Sequence, residues 1–263
     1  MKSEVRQWLE AHRKPAIWIV DGEASSRSWL GGNPCVPSGF SWPTFRGEPI
    51  PFLGQICFAD LPVAEGLPVF PKSGHLAVFF AIEGGISSPN DPDPGFAVLY
   101  FDQESELSEV GYPGGLPALD PVTGWRKLLG FRPKRVERRF YNRRSITFKA
   151  SVTYSASVPD DLLDTDDELE VETFMIDQLV KGLEHHLFGY ADPVQSTPEE
   201  MIEDVSEPAP GEAREKWALL LQIDEDGETG FEWIDCGKVF FWIRETDLAE
   251  ARFDRVKAII DFS

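Results

Sequence analysis

Apolar and polar residues alternate most clearly between residues 146 and 154, where every second side chain is apolar. This period of two predicts a half-buried β-strand. Shorter apolar runs, bounded mainly by glycine, proline and charged residues, predict further strands. They lie at about residues 16–20, 52–58, 76–82, 96–100, 217–223 and 239–243.

Apolar residues at helical spacing predict the remaining elements. The i, i+3, i+4 pattern of residues 173–187 indicates an amphipathic helix that ends before Gly189. The same reasoning predicts a helix near the N-terminus, a short helix behind Thr197-Pro198 and a final helix. Their expected ranges are 3–13, 197–205 and about 247–260. Strands accompanied by flanking helices predict an α+β fold.

A set of short motifs occurs twice along the chain. A Gly…Pro turn, a strand with an internal glutamine, and a glycine that precedes an apolar strand follow one another in this order. The first set comprises 31–34, Gln55 and Gly74, and the second comprises 189–193, Gln222 and Gly237. Two copies at this long spacing predict an internal duplication with pseudo-twofold symmetry. We therefore expect two related β-rich halves, 15–125 and 173–263, joined by the charged segment 126–172.

These motifs also carry a resemblance to a known family. The chain resembles YwqG-like bacterial proteins over roughly residues 17–256, through an ordered set of segments. The segments are 31–34, 42–43, 51–56, 73–80, 189–195, 219–224, 237–243 and 247–248. The family often has Trp-Gly-Asp-x-Gly before its last strand, whereas this chain has Ile234 in place of the first glycine. The resemblance implies one YwqG-like unit over 1–263, cytoplasmic and α+β, and it implies no reaction and no catalytic residue.

The formal net charge of −20 limits the choice of partners. Such a surface repels nucleic acid phosphates and anionic lipid headgroups, and it attracts basic proteins. The segment from Arg126 to Lys149 is the exception, with ten Lys/Arg and one acidic residue. It could bind phosphates or nucleic acid, or it could pair with the eight acidic residues of 160–172. We therefore expect no membrane partner and no nucleic acid, with this segment as the only reservation.

Recognisable metal or catalytic motifs do not occur in the sequence. The three cysteines form no C-x-x-C pair, and the adjacent His185 and His186 cannot share a metal ion at the end of a helix. No G-x-S-x-G or P-loop pattern occurs. The longest strongly apolar run, 76–82, is far shorter than a membrane helix, and the N-terminus lacks the features of a secretory signal. We expect a cytoplasmic protein without metal or cofactor, and the sequence leaves enzymatic activity open while favouring a non-enzyme.

Gln55 and Gln222 are the candidate site residues, because each is an amide inside an apolar strand. A buried amide needs hydrogen-bond partners. Each glutamine either holds the backbone of a nearby turn or faces a ligand in a cleft between the halves. Trp42, Trp233 and Asp224 are the proposed neighbours in such a cleft.

Two functions follow from these observations. The first is a non-enzymatic binding protein whose acidic surface meets a basic protein partner, as in an inhibitor or immunity protein. The alternative is a small-molecule-binding protein or an enzyme that uses the cleft between the two halves.

Overall fold

The computed structural model of the protein describes residues 3–85, 94–102, 106–114, 140–155, 157–159, 162–163, 170–171, 185–192, 194–195, 202, 216–234 and 236–263. The strands are β1 (Lys14–Asp21), β2 (Ser28–Leu30), β3 (Cys35–Pro37), β4 (Thr44–Phe45), β5 (Glu48–Pro49), β6 (Phe52–Cys57), β7 (His75–Phe80), β8 (Phe96–Phe101), β9 (Leu107–Glu109), β10 (Arg144–Thr153), β11 (His186–Leu187), β12 (Trp217–Asp224), β13 (Lys238–Arg244) and β14 (Lys257–Asp261). The helices are α1 (Ser3–His12), α2 (Ile82–Gly85) and α3 (Glu245–Ala249), with 3-10 helices at Phe58–Asp60 and Phe253–Arg255. None of these described helices is long and apolar enough to cross a membrane.

Ten strands form one antiparallel sheet in the order β14-β13-β12-β11-β1-β10-β2-β6-β7-β8. Outside it, β3 pairs with β9 and β4 pairs with β5. The prediction of an α+β fold is wrong, because the described part of the chain is mostly β and is built on this single large sheet. The strands expected from alternation and apolar runs are confirmed, each within two residues of its observed ends.

The final helix expected over residues 247–260 is wrong. Helix α3 ends at Ala249, and Lys257–Asp261 forms the edge strand β14. Ile259 and Ile260 pack on opposite faces of the sheet, in two different hydrophobic clusters. Successive residues point to opposite faces in a strand, so both isoleucines are buried there.

The other helix predictions have mixed outcomes. The N-terminal helix is confirmed as α1, which buries Val5 and Leu9. The helix expected over 173–187 is wrong at its end, because His186–Leu187 is strand β11, and residues 173–184 lie outside the described residues. The helix expected over 197–205 also lies outside the described residues except for Ile202, which is helical and buried.

The two ends of the large sheet are built from equivalent strands in the same order. From one edge it runs β8, β7, β6, β2, β10, and from the other it runs β14, β13, β12, β11, β1. Along the chain, a first series of strands (β1, β2, β6, β7 and β8) is followed by a second series (β10 to β14). Equivalent strands occur in the same order in the two series. This is the arrangement that an internal duplication produces.

The first strand of each series is exchanged. Strand β1 pairs with β11 of the second series, and β10 pairs with β2 of the first series, while β1 and β10 pair with each other over eight residue pairs. The expected linker 126–172 therefore contains a central strand, and the halves 15–125 and 173–263 are not separable bodies. Each series contributes its first strand to the part of the sheet that the other series forms.

The two faces of the sheet bury different hydrophobic clusters. A central core includes alternate residues of both β7 and β13, and rings of the two series meet there, with Phe80 6.1 Å from Phe241 between centroids. The opposite face of the first series carries a first outer cluster that includes Trp29, Phe52 and Phe79. The second series carries a second outer cluster that includes Phe240 and Trp242. The two series thus share one interior and have separate outer layers.

Candidate functional site

Gln55 lies in β6 and is buried. Its Oε1 accepts a hydrogen bond from the backbone N–H of Cys35 at 2.9 Å, and its amide nitrogen lies 3.4 Å from Nδ1 of His75. The chain reaches Cys35 through Gly31 and Gly32, which have φ values of +61° and +69°. The amide therefore fixes the backbone just after a left-handed turn, as the structural interpretation of the sequence expects.

Gln222 lies in β12 and is buried in the same way. Its Oε1 accepts a hydrogen bond from the backbone N–H of Asp192 at 2.9 Å. The chain reaches Asp192 through Phe188 and Gly189, again with left-handed φ values of +63° and +80°. A Cβ on Gly189 would lie 2.3 Å from Oγ1 of Thr153, so the position has no room for a side chain.

The strand register shows that the two glutamines occupy equivalent positions. Gln55 lies opposite Trp29 and Ala77, and Gln222 lies opposite His186 and Phe240. Ala77 is the third residue after Gly74, as Phe240 is after Gly237. The spacing of the repeated motifs therefore agrees with the pairing of the strands.

The residues opposite the glutamines are chemically different but make the same kind of hydrogen bond. Nε1 of Trp29 donates to the backbone oxygen of Asn33 at 3.1 Å, and Nε2 of His186 lies 3.0 Å from the backbone oxygen of Tyr190. In both turns a ring nitrogen binds the carbonyl four residues later. Two unlike side chains therefore stabilise equivalent turns.

Charge distinguishes the second turn from the first. Nζ of Lys238 contacts Oδ2 of Asp192 and lies 3.2 Å from Oδ2 of Asp224. Burial alone would lower the pKa of Lys238, but the two carboxylates outweigh burial and raise that pKa. Burial raises the pKa of Asp224 despite the neighbouring lysine. At the equivalent strand positions of the first series, Cys57 lies opposite His75.

The structure does not bring the five predicted site residues together. Four strands separate β6 from β12, and Gln55 and Gln222 lie on the outer face with different clusters. Asp224 belongs to the turn of Gln222, whereas Trp42 packs in the first outer cluster and donates its indole N–H to the oxygen of Ile50 at 2.8 Å. No pair of amides faces a common space between the halves in the described part of the chain.

Trp233 lies on the other side of the sheet, in the central core. It is fully buried, and its ring stacks on Phe231 with centroids 5.3 Å apart. Its indole N–H has no hydrogen-bond partner among the described residues. The next residue, Ile234, has a φ of +50°, a left-handed conformation that glycine adopts more readily than isoleucine. Trp233 therefore fills the interior beside a strained turn.

A cluster of charged side chains that the sequence did not indicate lies where β1 ends and β10 begins. We call it the Arg144 cluster, and it consists of Arg144, Asp21, Asp226 and Glu228. The guanidinium lies 2.7 Å from Asp21, 2.9 Å from Asp226 and 3.6 Å from Glu228. Asp226 is 5% exposed, whereas Asp21 and Glu228 are both 76% exposed. Three carboxylates thus surround one cation, and two of them face solvent.

The buried member of this cluster is held in its ionised form. Burial would raise the pKa of Asp226, but contact with His185 and hydrogen bonds from Thr229, Glu228 and Arg144 outweigh burial and place that pKa far below its ordinary value. Nδ1 of His185 accepts the backbone N–H of Asp224 at 3.0 Å, which directs Nε2 towards Asp226, 3.6 Å away. The helix end expected at His185-His186 is wrong, because both histidines are buried beside or within a strand.

The sequence signals for this cluster were weak. Asp226-Gly227 and Thr229-Gly230 have the composition of a tight turn, but nothing in the sequence places that turn beside β10. In the sequence, Arg144 is one of ten cations in a basic segment, with nothing to distinguish it from the others. Most of that segment lies outside the described residues, as does most of the acidic segment 160–172, so their expected pairing stays a prediction.

The polar residues described above are charged groups held in ion pairs and glutamine amides that hydrogen-bond to the backbone of turns. Within the described ranges, no group of three His, Cys, Asp or Glu side chains could hold a metal ion. Burial and the carboxylate of Glu109 raise the pKa of the Cys35 thiol, which disfavours the reactive thiolate. Among the described residues, the arrangement presents charged groups to solvent and uses its buried polar groups to hold turns.

Comparison with known proteins gives a family but no activity. A search of curated proteins found no match. Residues 28–261 match the family model described as domain of unknown function, DUF1963, which covers most of the chain and includes both series of strands except β1. The expected resemblance is confirmed, because YwqG-like is the family name for this domain. The chain therefore belongs to the DUF1963, or YwqG-like, family.

Proposed function

We propose that the protein is a non-enzymatic, cytoplasmic binding protein whose acidic surface engages a basic protein partner. The observation that supports this proposal best is the excess of exposed carboxylate, with a net charge of −20 for the chain and two carboxylates 76% exposed beside the single cation of the Arg144 cluster. Such a surface attracts a positively charged partner at long range and increases its rate of association.

The Arg144 cluster is suited to this role because its charges are held in place. Asp226 binds Arg144 from the buried side, which favours the orientation in which the guanidinium contacts Asp21 and Glu228. A carboxylate such as Asp21 can accept more hydrogen bonds than the guanidinium supplies. A lysine or arginine of a partner would therefore find two positioned acceptors without displacing the internal ion pair.

The alternative function, a small-molecule site between the halves, has less support. Gln55 and Gln222 each bond a backbone N–H of a turn, and the interior between the two series is filled by aromatic rings such as Phe80, Phe241 and Trp233. The exchange of β1 and β10 also joins the two series, so a hinge that opens between them would break three strand pairings.

Affinity capture with the full-length chain tests the proposal. The chain is used as bait in lysate of its native cell at about 50 mM and about 500 mM salt, where the Debye length falls from roughly 14 Å to roughly 4 Å. We expect a basic protein that binds at low salt and is lost at high salt. Its affinity for the bait is then measured with both proteins purified. If no basic protein binds at either salt concentration, the proposal fails.

Charge variants locate the contact. The double variant Asp21→Asn, Glu228→Gln removes the two exposed charges of the Arg144 cluster and leaves Arg144 bound to Asp226. We expect the dissociation constant to rise about tenfold, because each solvent-exposed pair contributes up to about 1 kcal/mol. Glu106→Gln, at an exposed position, is the matched control and should change the affinity less than about twofold.

A further inference from the structure

The loop between the 3-10 helix Phe58–Asp60 and β7 contains the same three residues twice. Leu61-Pro62-Val63 is followed, six positions later, by Leu67-Pro68-Val69. Leu61 is 7% exposed and Leu67 packs against the central core. Val63 and Val69 are 78% and 72% exposed, and they are the large hydrophobic side chains that stand out as exposed in the described part of the chain.

Several contacts fix the conformation of this loop, which we call the Leu-Pro-Val loop. Gly66 turns the chain with a φ of +82°, and a Cβ there would lie 3.1 Å from Cγ of Pro15. Phe70 is buried between Phe58 and Phe188, with ring centroids 6.1 and 5.2 Å away. The prolines restrict φ at the residue before each valine. The loop is therefore held by its leucines, its prolines and Phe70, while its valines point outwards.

A single exposed valine needs no special explanation. Two valines in matching positions, each beside a proline and each following a leucine anchored in the core, are a repeated pattern. Glu65 lies between them and is exposed. The loop thus offers two exposed apolar side chains and one exposed carboxylate, on backbone that is held by several contacts. Ordered contact residues lose little conformational entropy on binding, which favours affinity.

We propose that the Leu-Pro-Val loop is the apolar contact point for the basic partner. The partner fits if it has a shallow apolar depression for Val63 and Val69, bordered by a lysine or arginine that meets Glu65. This inference rests on the proposed function, because it names the site and the surface chemistry of the same partner. Charge brings the partner to the surface, and burial of the two valines holds it there.

Site-specific photo-crosslinking in the native cell tests the inference. The full-length chain carries benzoylphenylalanine at position 63, and a control chain carries it at position 106. We expect a basic protein crosslinked at position 63 and not at position 106. Crosslinks to a second copy of this chain, or no crosslink above the control, would overturn the inference.

The identified protein is then purified and titrated against variants of the full chain. Val63→Ser, Val69→Ser should raise the dissociation constant at least about tenfold, because two apolar contacts are lost. Val63→Ile, Val69→Ile keeps the surface apolar and should leave it within about threefold. Glu65→Gln should weaken binding and reduce its salt dependence.

The outcomes separate this inference from the function on which it rests. Both valines are exposed, so the serine variant should unfold at the same temperature as the wild type, and any loss of affinity reflects contact. If the partner binds the serine variant as tightly as the wild type, the Leu-Pro-Val loop is not its contact point, although the binding function stands. If no basic partner binds the wild-type chain at any salt concentration, both proposals fail.

Discussion

Gln55 and Gln222 hold equivalent turns on the same face of the sheet, with four strands between them. Measured along the sheet, five strand spacings of about 4.8 Å separate β6 from β12 by roughly 24 Å. Each amide accepts from a backbone N–H after a pair of left-handed residues. The two glutamines are therefore repeated structural residues rather than two parts of one site.

The first prediction concerns the contribution of each glutamine to stability. Gln55→Ala and Gln222→Ala each leave a backbone N–H without its acceptor, so each should lower the free energy of unfolding by about 1–3 kcal/mol. Chemical denaturation measures the loss. Gln7→Ala, at an exposed position of α1, should change the free energy of unfolding by less than about 0.5 kcal/mol.

The double variant of the two glutamines tests their independence. Because the sites are far apart and share no partner, the two losses should add to within about 0.5 kcal/mol. Strong coupling between them would contradict the placement of the glutamines in separate turns.

The second prediction concerns the glycines of the turns. A Cβ on Gly31 would lie 2.0 Å from the oxygen of Asn142, whereas a Cβ on Gly39, also at positive φ, would meet no atom within 4 Å. Gly39→Ala should therefore lower the free energy of unfolding by only about 1–2 kcal/mol, the cost of placing alanine at a positive φ. Gly31→Ala should lower the free energy of unfolding by about 3 kcal/mol or more, because the backbone must also move. Thermal unfolding of the two variants compares them, and equal losses would contradict the close approach seen at Gly31.

The strands could be predicted from the sequence because each is marked by alternation or by a short apolar run bounded by turn or charged residues. Residues 146–154 are the clearest case, and β10 is observed there. The final helix was wrongly predicted because Val256, Ile259 and Ile260 fit helical spacing as well as they fit a buried strand. Short apolar runs do not separate the two, and pairing with β13 decided the outcome.

The exchange of β1 and β10 could not be predicted from the sequence. The repeated motifs give the order of strands in each series, but no motif states which series a strand joins. The Arg144 cluster depends on this exchange, because β10 brings Arg144 to Asp21 of β1 and to the turn after β12. Gln55 and Gln222 hold turns, as one interpretation of the sequence expected, but contacts across the sheet were needed to find the charged cluster.

The third prediction concerns the buried ion pair of the Arg144 cluster. Asp226→Asn removes the charge that compensates a guanidinium of which only 20% is exposed. Breaking a buried pair in this way should lower the free energy of unfolding by about 2–4 kcal/mol at pH 7. Asp60→Asn breaks the more exposed pair with Arg27 and should cost about 1 kcal/mol or less.

The carboxylate of Asp226 also makes the stability of the protein depend on pH. The folded-state pKa of Asp226 lies below its unfolded value near 4, so the stabilisation is complete above that value and is lost as the pH falls below it. Asp226→Asn should therefore lose less stability than the wild type between pH 4 and pH 2. Parallel curves for the two proteins over this range would show that Asp226 does not cause the dependence.

The fourth prediction concerns His186, which is fully buried at the junction of β1 and β12. Burial lowers its pKa to about 4, against a weaker opposing effect of the hydrogen bond to Tyr190 and of Asp192. The unfolded chain takes up the proton near pH 6.5, so the neutral folded form is favoured in full above that pH. Stability should decrease as the pH falls from about 6.5 to about 4, by roughly 3 kcal/mol over the whole interval.

His186→Gln isolates this contribution, because glutamine can donate to the oxygen of Tyr190 and does not titrate. Other acidic groups contribute equally to both proteins, so the difference in free energy of unfolding between wild type and variant should change with pH in the interval from 6.5 to 4 and stay constant from pH 7 to 8. The C2–H resonance of His186 provides a direct measurement in the folded protein and should not shift above pH 5. A titration midpoint near pH 6.5 for this resonance would mean that the imidazole is exposed to solvent. It would contradict the burial of His186 in β11, between the two series of strands.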